Sequence, residues 1–221
     1  MNDNKEKVNF IKKFQNFFYS NTKYILVTIA VFLTLFISIQ IYSYYSIQNT
    51  KKISINFFNS LDLKDSIISN LDSIKVSDNF FSILSLLKSI QFYNDQRNYN
   101  LSNELYRKIL SANNLDKLYA STIAIHATIT FIDASYVENT TNYISDVKYY
   151  LDRISNDFEN FSTIKKELEY LFMVMRVDFN EISYTDNINI SNLYNEILDS
   201  DIISQSTKER VKKIHEFQIY K

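Results

Sequence analysis

Few of the 221 side chains could carry chemistry, and their spacing argues against it. His126 and His215 lie far apart and form no metal-ligand spacing. The acidic pairs Asp62 with Asp65 and Glu167 with Glu169 lack a nearby histidine or third carboxylate to complete a metal site or an acid–base dyad. Cysteine is absent, which removes disulfides, thiolate zinc sites and cysteine nucleophiles. Glycine is absent too, and with it phosphate-cradling loops, dinucleotide fingerprints and nucleophile elbows. His126, in Ile125-His126-Ala127-Thr128, reads as a half-buried packing residue, with a groove-lining or pH-sensing role as the alternative. His215, beside Lys212 and Lys213, reads as a surface residue. Met173 and Met175 read as core, the alternative being an adaptable binding face. The expectation is no catalytic residue, no metal, no cofactor and no small-molecule substrate. A net charge of −1 gives no general attraction to nucleic acid either.

Composition explains part of this poverty. There are 17 Phe and 17 Tyr but no Gly and no Pro, with abundant Ile, Asn and Lys. These residues have AT-rich codons, as in the genome of a host-restricted bacterium. In such a chain the Asn-x-Ser/Thr triplets at Asn100, Asn139, Asn160 and Asn189 read as chance rather than as glycosylation sites. The tyrosines are the natural contact residues, offering large area for little entropy, although no single one stands out.

The elements are clearer than the chemistry. Ile25 to Tyr42 reads ILVTIAVFLTLFISIQIY, eighteen residues without a charge. As a helix it spans about 27 Å, close to the hydrocarbon core of a bilayer. Its small hydroxyls can bond back to the preceding turn. Tyr24 on one side and Tyr42, Tyr44 and Tyr45 on the other suit the two membrane interfaces. The exit Ser43-Tyr44-Tyr45-Ser46 lacks a small-x-small cleavage pattern, which favours an uncleaved signal anchor. Residues 1–23 carry a net +3 and residues 47–221 a net −4. The positive-inside rule therefore predicts a cytoplasmic amino-terminal flank and a periplasmic remainder. In that flank Phe10, Ile11, Phe14, Phe17 and Phe18 recur at helical spacing around Lys12 and Lys13. That pattern suits an interfacial helix on an anionic leaflet, or else a plain lysine-rich flank.

After the span the apolar spacing is helical, at Phe80, Leu84, Leu87 and Ile90, at Leu105, Ile109 and Leu110, and at Leu168, Leu171 and Val174. The spacing predicts helices near 47–61, 63–74, 78–93, 98–112, 115–135, 140–155, 162–179, 189–199 and 204–219, the first continuing the membrane helix. Ser206 and Glu209 match a capping box for the last. Without glycine, the breaks at Asn94, Asn98, Asn113, Asn114, Asn156, Asn180 and Asn187 suggest asparagine as the left-handed terminator. Leu105-Tyr106-Arg107-Lys108-Ile109-Leu110, Tyr150-Leu151-Asp152-Arg153-Ile154 and Leu193-Tyr194-Asn195-Glu196-Ile197-Leu198 resemble one another, each after a more apolar helix. Three stacked helical hairpins would form a short curved superhelix.

A lysine-bearing amphipathic start (Val8 to Lys23), one span, the exit Tyr42-Ser43-Tyr44-Tyr45 and such a tail resemble the YfgM family of ancillary Sec translocon subunits. The similarity runs through Phe80-Phe81-Ser82-Ile83-Leu84-Ser85-Leu86-Leu87, Asn98 to Leu110 and the hairpin from Leu118. It is a likeness of size and polarity over most of the chain, with Ser, Ile and Tyr where such repeats carry small residues. The resemblance implies an all-α fold, one transmembrane helix followed by a tetratricopeptide-like helical-hairpin array. It implies segments 1–23 (cytoplasmic, basic), 24–46 (transmembrane), 47–76 (helical connector) and 77–221 (repeat domain) in a bacterial inner membrane. It also implies a protein-binding, non-catalytic role, with translocon subunits, periplasmic chaperones or unfolded secreted chains as partners. The competing expectation is an envelope-assembly or cell-division scaffold of the same architecture.

Overall fold

The structure is a computed structural model describing residues 3–62, 71, 80–112, 115–184 and 188–221, without the side chains of 3–18 and 62. All regular structure among these residues is α-helical. The chain divides into two compact units, residues 1–65 and 66–221.

The first unit is dominated by α1, Asp3–Asp62, an unbroken helix of 60 residues. At 1.5 Å per residue it is about 90 Å long. The expected boundaries at 24 and 46 fall inside it, so flank, span and the start of the connector share one helix. Its stretch Tyr19–Leu61 is long and apolar enough to cross a membrane, and its most apolar window has a mean hydropathy of 2.4 with nothing buried. Leu26, Phe32, Phe36 and Ile39 are each more than half exposed. In water that surface costs about 25 cal/mol per Å², a penalty that lipid removes. The hydroxyls within this run are satisfied internally. Thr28 Oγ1 donates to the Tyr24 carbonyl at 2.9 Å, Thr34 to Ala30 at 2.7 Å and Ser38 Oγ to Thr34 at 2.8 Å. Each bond spares a polar group from facing hydrocarbon alone.

The second unit is a stack of hairpins. Its helices are α2 (Phe80–Asp95), α3 (Tyr99–Leu110), α4 (Lys117–Glu138), α5 (Ile144–Leu151), α6 (Glu159–Asp178), α7 (Ile188–Asp199) and α8 (Gln205–Tyr220). Helix α2 pairs with α3, α4 with α5 and α6 with α7. Each second helix then packs on the first helix of the next pair, and α4 lies on α6 as α6 lies on α8. The expected helix over 63–74 lies outside the described residues apart from Leu71, which is helical and fully buried.

The three hairpin turns share one solution. The positive-φ residues are Arg97 (57°), Asn139 (50°) and Asn180 (59°), roughly forty residues apart, the length of a two-helix repeat. After each, a backbone N–H reaches back over the helix end: Asn98 to the Tyr93 carbonyl at 2.8 Å, Thr140 to Ser135 at 3.0 Å and Glu181 to Arg176 at 2.9 Å. These are Schellman closures, which satisfy carbonyls that a helix end otherwise leaves open. Asparagine does take glycine's place at 180, and at 139 where it was not expected. At the first turn the left-handed residue is Arg97, because Asn94 is still helical and Asn98 caps the next helix by accepting from Leu101 N–H. Asn156 has no positive φ, and Asn113, Asn114 and Asn187 lie outside the described residues. The cap of α8 also moves. Ser204 is extended and its hydroxyl accepts from Thr207 N–H at 3.2 Å, so Ser206 belongs to the first turn and the Ser206–Glu209 box does not form.

Two cores fill the stack, with α6 as their shared wall. Leu168, Phe172 and Met175 of α6 join the larger core, and Tyr170 and Val174 join the smaller one with Tyr184, Ile190, Ile197, Ile203 and Val211. Met175 is fully buried and Met173 packs against the smaller core, in line with the core reading. The buried face of α2 is Ser82, Ser85, Leu86, Ser89 and Ile90, so the stripe Phe80, Leu84, Leu87 and Ile90 is buried only at its end. Serine supplies the small contact surface here. Ser85 and Ser89 return their hydroxyls to the Phe81 and Ser85 carbonyls at 2.8 and 3.0 Å, and Ser135 does the same to Phe131 at 2.9 Å. Such bonds let a polar side chain sit at a dry helix contact.

Two outcomes check this account. Replacing Arg97 by Gly should raise stability by about 1 kcal/mol, since a β-carbon at positive φ is strained, whereas Asn139→Val should lower it by about 1–2 kcal/mol, both read by thermal unfolding followed by circular dichroism. Phe32→Asp with Phe36→Asp should cost about 2.5–3.5 kcal/mol each in membrane insertion and move the protein out of the carbonate-resistant pellet.

Candidate protein-binding grooves

Two grooves open on the first helices of the hairpins. The larger, ≈ 600 Å³, runs between α2 and α4 with Tyr99 of α3 at its edge. Leu87, Ile90 and Ile123 make its apolar wall, and Gln91, Asn94, Asp95, Thr122, His126, Thr130 and Asp133 supply polar atoms. The smaller, ≈ 360 Å³, lies between α4, α6 and α8 and is lined by Ile132, Tyr136, Leu171, Val174, Ile214 and Phe217 with Asp178, Lys213 and Gln218. Phe217 is 65 % exposed at its lip. An aromatic side chain left that open beside an apolar trough is the composition of a contact surface.

A buried tyrosine of α3 holds two lining residues of the larger groove, His126 and Thr130. Tyr106 of α3 is fully buried, and its ring meets Phe131 and Tyr150 edge-on. Its hydroxyl hydrogen-bonds Nδ1 of His126 and Thr130 Oγ1. Burial pushes the Tyr106 hydroxyl up, outweighing the hydrogen bonds from Thr130 and Asn94 that pull it down. Partial burial lowers the His126 pKa, so the ring is held neutral and in place. His126 thus stands exposed on the groove wall with one nitrogen satisfied, closer to the groove-lining alternative than to a packing residue. Partial burial also pushes the Asp133 carboxyl up.

His215 corrects the surface reading. It is half-buried, stacks on Tyr194 with ring centroids 3.8 Å apart, and its Nδ1 hydrogen-bonds the Tyr184 hydroxyl, which in turn meets the Tyr170 hydroxyl at 2.8 Å. Burial lowers its pKa, and Glu216 only partly opposes this. The flanking lysines misled because a helix turns 100° per residue, so Lys212 and Lys213 say little about the face that residue 215 occupies. Tyr106, Tyr150 and Tyr194 recur at equal spacing on α3, α5 and α7. His126, Tyr170 and His215 recur at nearly the same spacing on α4, α6 and α8. A ring contact joins the first and the last of these pairs, Tyr106 with His126 and Tyr194 with His215.

In the smaller groove Asp178 is held at three points. Tyr136 donates to Oδ2 at 2.7 Å, and Gln218 Nε2 and Lys221 Nζ donate to Oδ1 at 2.9 and 2.7 Å. Desolvation alone would raise its pKa, but the hydrogen bonds from Lys221, Gln218 and Tyr136 win and bring it down. Glu167 pairs with Arg210, whose Nε lies at 2.8 Å, and joins α6 to α8. Glu169 is half-buried with a pKa raised by burial. The acidic pair therefore divides between two surroundings and forms no dyad. No group of three or more His, Asp or Glu that could hold a metal occurs among the described residues.

Of the expected membrane-interface residues, Tyr24, Tyr42, Tyr44 and Tyr45 are all exposed on α1, Tyr24 at one end of the apolar run and the others at the other end. The side chains of Lys12 and Lys13 and the flank's phenylalanines lie outside the described residues, as does Asp65. Sequence reasoning missed Asn94, Asp95 and Asp133. A signal existed for Asp133, the single charge inside Ala127-Thr128-Ile129-Thr130-Phe131-Ile132-Asp133-Ala134. Asn94 and Asp95 were hidden by their place at a helix end, where polar residues need no further reason.

With both histidine pKa values lowered, the unfolded chain takes up protons first as pH falls. Their stabilisation is whole above about pH 6.5 and is lost as pH falls from there to each lowered value. The melting temperature should therefore drop between pH 7 and pH 5, and a His126→Gln, His215→Gln protein should show a flatter dependence. An unchanged slope in that variant would refute the assignment.

No protein-family model matches the chain, and neither a curated protein nor a solved structure matches it.

Proposed function

We propose that this chain is a single-span inner-membrane protein whose tetratricopeptide-like hairpin domain lies in the bacterial periplasm and binds other proteins. Its role in this reading is that of an ancillary subunit of the Sec translocon, passing emerging chains to periplasmic chaperones. The observation that carries the proposal is the pair of apolar-walled grooves on the first helices of successive hairpins, with Phe217 exposed at one lip. Stacked hairpins commonly present such surfaces to polypeptide partners. A helix with an unburied apolar stretch supports the membrane anchor. The net +3 of residues 1–23 against the net −4 of residues 47–221 supports the orientation.

Two measurements test the reading. Protease added to spheroplasts should remove the hairpin domain without lysis, and digestion only after lysis would reverse the topology. Crosslinking in intact membranes should recover translocon subunits or periplasmic chaperones, and a Phe217→Ser protein should recover several-fold less. Recovery of neither class of partner overturns the adaptor role.

A further inference from the structure

The larger groove carries a preference that its size alone does not convey. Its two charged lining residues are both aspartates, Asp95 at the end of α2 and Asp133 on α4. No ion pair engages either of them among the described residues. On α2, Lys88 donates to Gln91 Oε1 at 2.8 Å. Asn94, which also lines the groove, has its Oδ1 buried without a hydrogen-bond partner. The carboxylates of Asp95 and Asp133 are thus open to a cationic partner. Partial burial disfavours the charged Asp133 carboxylate. A cationic ligand beside it offsets that cost.

We propose that this groove binds an extended polypeptide segment carrying lysine or arginine, which deepens the protein-binding reading above and rests on it. The basic side chain lies between Asp95 and Asp133, and the neighbouring apolar residue rests on Leu87, Ile90 and Ile123. Extended chain is favoured over helix because a helix spends its N–H groups internally, whereas an extended strand has them free. The volume of ≈ 600 Å³ lies within the range that buries a few side chains.

The test uses the full chain in non-ionic detergent micelles and fluorescence anisotropy of two short labelled peptides, one alternating Val with Lys and one alternating Val with Glu. The Val-Lys peptide should bind at least tenfold more tightly than the Val-Glu peptide, and more weakly as salt rises. Asp95→Asn and Asp133→Asn should each weaken it about three- to fivefold, and together at least tenfold, with unchanged melting temperature. Asp133→Lys should shift preference toward the Val-Glu peptide, a gain that misfolding cannot mimic. Equal binding of the two peptides, indifference to the double aspartate variant, or spermidine binding as tightly as the Val-Lys peptide overturns the proposal. If the Val-Lys peptide fails to bind while crosslinking recovers partners, this groove assignment falls and the adaptor reading stands. If it binds through the aspartates while crosslinking recovers none, the groove assignment stands and the adaptor reading falls.

Discussion

Each of the three hairpins among the described residues depends on a residue held at positive φ in a chain that has no glycine to place there. Arg97, Asn139 and Asn180 occupy these positions, and the same backward N–H bond closes each turn. A β-carbon in that region costs about 1–2 kcal/mol, less for asparagine, whose short side chain tolerates it. The strain persists because the turn lets two apolar helix faces meet. Loss of one closure would unpair a hairpin and with it the groove that its first helix lines.

The second constraint is close approach. Helices that stack in register need small residues at their contacts, and here serine fills much of that role. Buried Ser82, Ser85, Ser89, Ser102, Ser121 and Ser135 stand among only a few buried alanines. Some hydroxyls return to their own helix, and others stitch neighbours together: Ser121 Oγ accepts from Ser155 N–H at 3.0 Å. On the other side of the contact the space is taken by aromatic rings. Tyr150 stacks on Phe131 at 5.6 Å, and its hydroxyl reaches Asn103 Oδ1. Small polar residues and large rings together reproduce the interlocking that alanine and leucine achieve in other helical stacks.

Much of the architecture was legible because helices announce themselves locally. The apolar run at 25–42, the periodic stripes and the similarity among 105–110, 150–154 and 193–198 depend on residues within a few turns of each other. The errors arose where a residue's role depends on a partner distant in sequence. His215 looked like surface until Tyr184 and Tyr194 were brought to it from other segments. The first hairpin turn fell on Arg97 because Asn94 and Asn98 already had duties in the adjoining helices. Ser204 displaced Ser206 as a cap because the chain enters α8 two residues earlier than the capping-box pattern suggests.

Composition and periodicity by themselves determined that the chain is helical, with one long apolar helix ahead of a hairpin series, since both follow from side-chain volume and hydropathy along a single axis. They also exposed the lack of the usual chemical signatures, because those require glycine, cysteine or clustered histidines. The grooves belong to the tertiary structure alone. Asp95 and Asp133 sit on different helices with a hairpin partner between them in the chain, and only the packing of α2, α3 and α4 brings them to one trough. The burial of Asn94 Oδ1 is equally a property of that packing, since no local pattern records which polar atom loses its water when helices close together.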